Sequence, residues 1–427
     1  MAISATAADQ VPWWREPTKD QWLAWIAAWL GWTLDAFDFT IFLLIMVPIA
    51  DAFGVPLVAV TAVFTITLWL RLVGAVGSGW LADRIGRKKP LMISILWYSL
   101  CNFAAGLAPS FAVLFFFRAL LGIGMGAEWP AGAALAMESW PARSRGLMSG
   151  ILQGSWSIGF LLSSAAYGLL YDHIGWRGLL ILGVLPALAV VWIRIYVKEP
   201  EVWAENRRLQ REQKKEVRAP LIDIFRLRLL PNTLTACLWM ASGFVVYYSV
   251  YGMFATHLQK DLHLDAAMTA MPIAFANLVA FLASGVWGWV ADRLGRRWAM
   301  IIPAAIGLFI TPLYLFTADY AVVAGTFILQ GAFLGAIYGQ NPSYLSERFP
   351  TEVRATASGF CYHQGAIWAG FAAPVLAILA AGQPLGFAVP MLIATSGAAL
   401  VFIVALLIGP ETKGKVLVPQ LTLASEF

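Results

Sequence analysis

The chain has 427 residues, of which 60% are hydrophobic and only 12% charged, and its mean hydropathy is +0.73. These proportions exclude a soluble core under a wettable surface and require a polytopic membrane protein. The formal charge of +5 therefore reflects topology and contact with anionic lipid, not an affinity for nucleic acid.

Runs of about 20 apolar residues, enough for a helix to cross roughly 30 Å of hydrocarbon, predict twelve spans. They lie at 22–48, 58–80, 89–107, 110–137, 147–170, 178–197, 232–256, 268–290, 299–317, 320–344, 355–381 and 386–408. The polar start lacks the basic segment, short apolar core and small-residue cleavage site of a secretory signal. Thr18 with Gln21 predicts a capping box that opens the first helix. Of the 29 Lys and Arg, Arg71 and Arg118 lie inside spans, Arg177 and Lys260 on one side, and the other 25 on the opposite side. The positive-inside rule then places both termini in the cytoplasm.

The first span carries Asp35 and Asp38, the second Arg71, and the fourth Arg118 and Glu128. Each such group at the bilayer centre costs about 2.5–3.5 kcal/mol, so the five predict a cavity wall in the first half, not lipid contact. At about 1.5 Å per residue, Arg71 and Glu128 share a depth near the midplane. Asp35 and Asp38 lie higher and Arg118 higher still. Spaced i and i+3, the two aspartates face one way, and neighbouring carboxylates resist joint ionisation. That suits a proton carrier, as it suits a fixed salt bridge to an arginine. Glu128 is the first candidate for coupling, and sodium suits the same carboxylates. Arg71 cannot lose its proton and matches a carboxylate with a planar fork, either as substrate anchor or as standing partner of Glu128 or Asp35.

GWLADRIGRK at 79–88 recurs as GWVADRLGRR at 288–297, and ESWPARSRGLMSG at 138–150 as ERFPTEVRATASG at 347–359. One offset, 209 residues, relates both pairs, which indicates a duplicated six-helix unit. The chain divides into a first bundle at 1–197, a charge-rich cytoplasmic linker at 198–229 with short surface helices and no chemistry of its own, and a second bundle at 230–427. The second half offers uncharged hydrogen-bonding groups suited to the body of an organic acid. These are Tyr247, Tyr248 and Tyr251, Asn277, Gln330, Tyr338, Gln340 and Asn341, with Tyr362, His363 and Gln364. Any of them equally serves to join helices.

The doubled loop with Gly79, Asp83, Arg84, Gly86 and Arg87, then Arg118 with Gly122, Gly124 and Gly126, and PETKG at 410–414, resembles the major facilitator superfamily. Within it, PWWREPTKDQWLAWIAAWLGWTLDAFDF, RALLGIGMGAEWPAGAALAMESWP and IGWRGLLILGVLPALAVVWIR resemble the sialate:proton symporter family, and the Asp-x-x-Asp pair is similar to aromatic acid:proton symporters. The resemblance implies an all-α membrane protein of two pseudo-symmetric six-helix bundles that rock about a midplane site, with the first, fourth, seventh and tenth spans lining it. It also places Arg118 in the signature associated with proton coupling.

Substrate binding is thus expected at Arg71, Tyr251, Gln340, Asn341, Tyr338, His363 and Gln364, and coupling at Glu128, Asp35, Asp38 and Arg118. Cytoplasmic latches are expected at Gly79, Asp83, Arg84, Gly86, Arg87, Glu138 and Arg145, and at Asp292, Arg293, Arg296, Glu347 and Arg354. GIGMG at 122–126 lies inside a span with no preceding strand, so it is a packing stripe rather than a dinucleotide loop. With no P-loop and no metal-ligand spacing, neither a cofactor nor catalysis is expected. Cys101, Cys237 and Cys361 fall in spans, and no disulfide is expected. The implied function is import of an organic acid anion with a proton, the acid being a monocarboxylate, a sialic-type sugar acid or an aromatic acid; an efflux antiporter is the rival. The setting is a bacterial inner membrane, and a monomer suffices.

Overall fold

The structure, a computed structural model, describes residues 12–217, 220–264, 266–380 and 384–421. The reading of residues 1–11 as free of a secretory signal lies outside them. α1 (Lys19–Leu44) opens on the expected capping box, Gln21 N–H donating to Thr18 Oγ1 at 3.3 Å and Thr18 N–H to Gln21 Oε1 at 2.8 Å. A short α2 (Met46–Phe53) completes the first span, and α3 (Leu57–Ile85), α4 (Lys88–Gly106) and α5 (Phe111–Ser139) form the next three. α6 (Arg145–Leu182) contains the fifth span and enters the sixth across a single non-helical residue, Gly175 at φ 62°; α7 (Pro186–Tyr196) finishes it.

The second half repeats this order. After α8 (Glu201–Glu212) and α9 (Pro220–Asp223) come α10 (Leu230–Val250), α11 (Phe254–Lys260), α12 (Ala266–Leu294), α13 (Trp298–Leu315), α14 (Tyr320–Gly331), α15 (Asn341–Arg348), α16 (Arg354–Ala380) and α17 (Ala388–Ile408). Besides the turns at 45 and 183–185 in the first half, two spans of the second half expected to be continuous are broken. The seventh is interrupted between α10 and α11 around Gly252, and the tenth unwinds from Ala332 before a 3-10 turn at Ile337–Gln340 leads into α15. Small residues make both breaks cheap, because glycine is a poor helix former and needs little to leave the helix.

The two bundles meet along α6 against α12 and along α3 against α16, pairs related by the 209-residue repeat. Bare glycines allow the approach. A Cβ on Gly79 would lie 2.6 Å from Thr356 Cα, and one on Gly288 would lie 2.5 Å from the Gly146 carbonyl oxygen. Inside the first bundle α5 lies against α3 at backbone distance: a Cβ on Gly122 would collide with the Thr67 carbonyl, one on Gly126 with that of Arg71, and one on Gly74 with that of Ile123.

The linker is not the solvated tether expected of a charge-rich stretch. Trp203 of α8 donates its indole N–H to the Asp83 carbonyl at 3.2 Å and lies under the Arg87 guanidinium, while Asn206 donates to the Pro419 carbonyl at 2.8 Å. Just before α8, Glu199 accepts the backbone N–H groups of Arg87 and Lys88 at 2.7 and 3.1 Å, and burial raises its carboxyl pKa. Glu411 does the same for Arg296 and Arg297 at 2.9 and 3.1 Å, so the linker and the C-terminal segment dock on equivalent helix starts.

Candidate functional site

Asp35 and Asp38 share a helix face but have different partners. Arg71, on α3, donates from Nη2 to Asp35 Oδ2 at 3.1 Å, and its guanidinium lies over the rings of Phe39 at 4.7 Å and Trp156 at 5.5 Å. Asp38 Oδ1 instead accepts from Asn102 Nδ2 at 3.1 Å, and Asn102 Oδ1 accepts from Arg118 Nη1 at 3.0 Å. Asn102, on α4, thus stands between the acid and the arginine expected to meet directly. A polar amide in an apolar span is the same kind of signal as an intramembrane charge, and in the first bundle the expected site contains charged residues only, without Asn102.

Glu128, on α5, faces α1. A Cβ on Gly31 would lie 2.5 Å from Glu128 Oε1, so the missing side chain there is the space the carboxyl occupies. Neither Glu128 oxygen, nor Asp38 Oδ2, nor Nε and Nη2 of Arg118, has a hydrogen-bond partner among the described residues. Such groups are costly to hold in a fixed state, and a carboxyl with two free oxygens is equipped to accept a proton.

The central cavity lies between the bundles. Of the five intramembrane charges only Arg71 lines it; Asp35, Asp38, Arg118 and Glu128 lie behind, buried within the first bundle. The expectation that the first, fourth, seventh and tenth spans line the site needs correction at the fourth. α5 is sealed behind α3 by the glycine contacts, and the fifth span supplies Gln153, Trp156 and Ser157 in its place. Trp32 and Leu68 complete the first-half wall.

From the second half, Tyr251, Tyr338 and His363 line the cavity. Tyr251 and Tyr338 sit at the two helix breaks, which is what turns them inward. Gln364, Gln340 and Asn341 do not line it. Gln364 donates to the Cys237 and Cys361 carbonyls, both at 2.9 Å, and so joins α10 to α16. Gln340 donates to the Gly146 carbonyl at 3.4 Å, and Asn341 begins α15 near the latches described below. Gln364 is one helical step from His363, and a period of 3.6 turns neighbours to different faces; Gln340 and Asn341 lie two and three residues beyond Tyr338, at the end of the 3-10 turn and the start of α15. The Cys237 and Cys361 sulfurs are 3.8 Å apart, both as free thiols.

At one end of the molecule the latch residues form two equivalent sets across the bundle interface. Asp83 accepts from Ala355 N–H, Thr356 N–H and Thr356 Oγ1 at 2.8–3.0 Å, capping the first turn of α16. Asp292 accepts from Gly146 and Leu147 N–H at 2.8 and 2.9 Å, capping α6 in the same way. A carboxylate at a helix N-terminus is favoured by the unsatisfied N–H groups and the helix dipole. Glu138 receives Arg87 at 2.8 Å and, from the other bundle, Arg354 at 2.5 Å; Glu347 receives Arg296 at 3.0 Å and, from the other bundle, Arg145 at 3.2 Å. Gly86 and Gly295, at φ 108° and 109°, supply the tight turns that aim Arg87 and Arg296. Arg84 and Arg293 take no part. Both are exposed and lie over Trp80 and Trp289 of their own helices, because the position after each latching aspartate faces outward.

A family model described as the Major Facilitator Superfamily matches residues 28–285 and 242–422. The sialic acid transporter NanX of Escherichia coli is 27% identical over 406 residues, covering 95% of this chain and 97% of that relative. The cis,cis-muconate transport protein of Acinetobacter baylyi is 28% identical over 369 residues, covering 85% and 89%. Among solved structures, the proton:xylose symporter XylE bound to 6-bromo-6-deoxy-D-glucose shares the fold at a TM-score of 0.70 and 18% identity, over 93% of this chain and 98% of that one.

Proposed function

The chain belongs to the major facilitator superfamily, and from that premise we propose that it imports an organic acid anion together with a proton by alternating access. It is a multi-pass membrane transport protein and not an enzyme. The observation that carries the reading is Arg71. It is the one fixed charge on the cavity wall among the described residues, and Asp35 of α1 holds it from behind. The names of the sialic acid and muconate relatives support an acid as cargo.

The cycle follows from electrostatics. With Asp35 ionised, Arg71 is engaged and its attraction for a second anion is reduced. A proton delivered to the acid group formed by Asp35 and Glu128 weakens that pair, and the guanidinium turns its fork to a substrate carboxylate. The loaded site then carries less uncompensated charge through the membrane interior, which favours the rocking step when proton and substrate are both bound. Asp38, Asn102 and Arg118 form a second polar set that holds the far end of the acid pair. An efflux antiporter would call for an acid facing the cavity, where Arg71 stands instead.

In this reading residues 1–197 and 230–427 are the rocking units, joined by 198–229. The latched end faces the cytoplasm of a bacterial cell whose inner membrane holds the protein, with both termini on that side, and a single copy is sufficient. The test is uptake into proteoliposomes under an imposed inward proton gradient. Accumulation of an organic acid should cease when the gradient is collapsed. Glu128→Gln should abolish accumulation while leaving exchange of labelled for unlabelled acid. Accumulation that persists without the gradient, or in Glu128→Gln, would remove proton coupling through this site.

A further inference from the structure

We infer that Cys237 and Cys361 form an oxidation site, which a hydroperoxide closes to a disulfide tying α10 to α16. Their sulfurs stand 3.8 Å apart on different helices, each seven residues from a helix start, at Leu230 and Arg354. At about 1.5 Å per residue both lie about 10 Å in from the latched end. The helices are held close at this level. Gln364 bonds the carbonyls of both cysteines, and a Cβ on Gly365 would lie 3.0 Å from the Met240 carbonyl oxygen. Closing the gap to the roughly 2.0 Å of a disulfide therefore asks for side-chain movement, not a new helix packing.

Packing alone does not call for two thiols here. The equivalent contact of the first bundle, α1 against α6, is filled at this level by Trp25, Ala28 and Leu152, and Leu152 is the counterpart of Cys361 in the 209-residue repeat. Access is one-sided. Cys361 is buried, whereas Cys237 is only partly buried and lies on the flank of α10 that carries the exposed Leu234 and Leu238. Cys237 can thus meet an oxidant while Cys361 waits beside it, the arrangement of an attacking and a resolving cysteine. The two sulfurs are in hydrogen-bonding contact, so a thiolate at Cys237 has the Cys361 S–H as donor.

The Cys237 sulfur attacks one peroxide oxygen and breaks the O–O bond, leaving a sulfenic acid on Cys237 and releasing water, or an alcohol from an organic hydroperoxide. The Cys361 sulfur then forms the S–S bond and displaces the sulfenic hydroxyl as water. Two thiols lose two hydrogens and two electrons, and the hydroperoxide takes both. In a reducing cytoplasm the pair rests as thiols. Both helices line the cavity, α10 through Phe244, Tyr247 and Tyr248 and α16 through Tyr362 and His363, so the bond stiffens that wall.

The experiment treats wild-type proteoliposomes with hydrogen peroxide or with bilayer-soluble cumene hydroperoxide, then reads intact and peptide masses without reduction. The expected result is loss of two hydrogens, assigned to a bond between the Cys237 and Cys361 peptides and reversed by dithiothreitol, with Cys101 still open to alkylation. Closure at lower concentration by hydrogen peroxide would mark an oxidant arriving from water, and by cumene hydroperoxide one arriving from lipid; either supports the site. Cys361→Ser should stop at a sulfenic acid on Cys237 that dimedone traps. No mass change, oxygen added at Cys237 without a bond, or a bond to Cys101 would overturn the inference. The closed protein should also unfold at a higher temperature than the reduced one, and equal melting would overturn the stiffening. Neither readout involves transport, so the site stands or fails apart from the symport reading.

Discussion

Asn102 decides how the charges of the first bundle are shared. By bridging the Asp38 carboxylate and the Arg118 guanidinium it lets an acid and a base stand in one low-dielectric region with no ion pair between them, while Asp35 pairs with Arg71. Removing the bridge strands two buried charges, and breaking a buried pair costs about 3–5 kcal/mol. Asn102→Leu should therefore lower the thermal unfolding temperature sharply in detergent. Gln364→Leu gives the contrast. That side chain bonds helix carbonyls outside the cavity, so the variant should unfold somewhat earlier and keep the wild-type concentration dependence of uptake. The charged members of the site were legible because charge in an apolar span is conspicuous. The aromatic wall was only half legible, since Trp32, Trp156 and Phe244 look like any other membrane aromatic until the fold turns them inward.

The pairing of α3 with α5 shows how much a helix contact depends on which glycine faces it. Gly74 lies against the Ile123 carbonyl, whereas Gly77, three residues on in the same helix, has nothing within 4 Å of the position a Cβ would take. Gly74→Ala must push two backbones apart, and overpacking of this kind costs about 1–3 kcal/mol. Gly77→Ala should be neutral, or stabilising by up to about 1 kcal/mol through helix propensity. Thermal melts of the two purified variants check the difference, and equal melting would mean that α3 and α5 are not in backbone contact. Apolar run length placed the spans well, with α4 and α17 close to expectation. It could not foresee the breaks before α11 and α15, because hydropathy is blind to where a helix unwinds.

The latches act between bundles, and their logic is symmetric. Each half sends an aspartate to cap a helix of the other, and each acid pocket, at Glu138 and Glu347, is shared by arginines from both. In the proposed rocking cycle, closure at this end would rest on contacts that break each time. Asp83→Asn with Asp292→Asn keeps the shape and removes the charge, and a hydrogen bond to a charged group is worth about 1.5–3 kcal/mol. The population open at the latched end should rise by at least tenfold. Spin labels at the exposed positions 84 and 293, on a background lacking native cysteines, should report a longer distance, while an unchanged distribution would remove the latch role. The linker helix α8 and the segment after α17 brace the same end through Glu199 and Glu411.

Composition and periodic repetition alone determined that this chain lives in a membrane, that it is built twice over, and that the charges inside its spans lie in the first half. These properties are additive along the chain and need no knowledge of neighbours. Which charges face the cavity, which helices break, and which polar residues merely join helices were decided only by tertiary structure. Each depends on the rotation of one helix against another, and a single residue's step of about 100° moves a side chain from the cavity to a helix joint. His363 and Gln364 are adjacent in sequence and end on those two different surfaces.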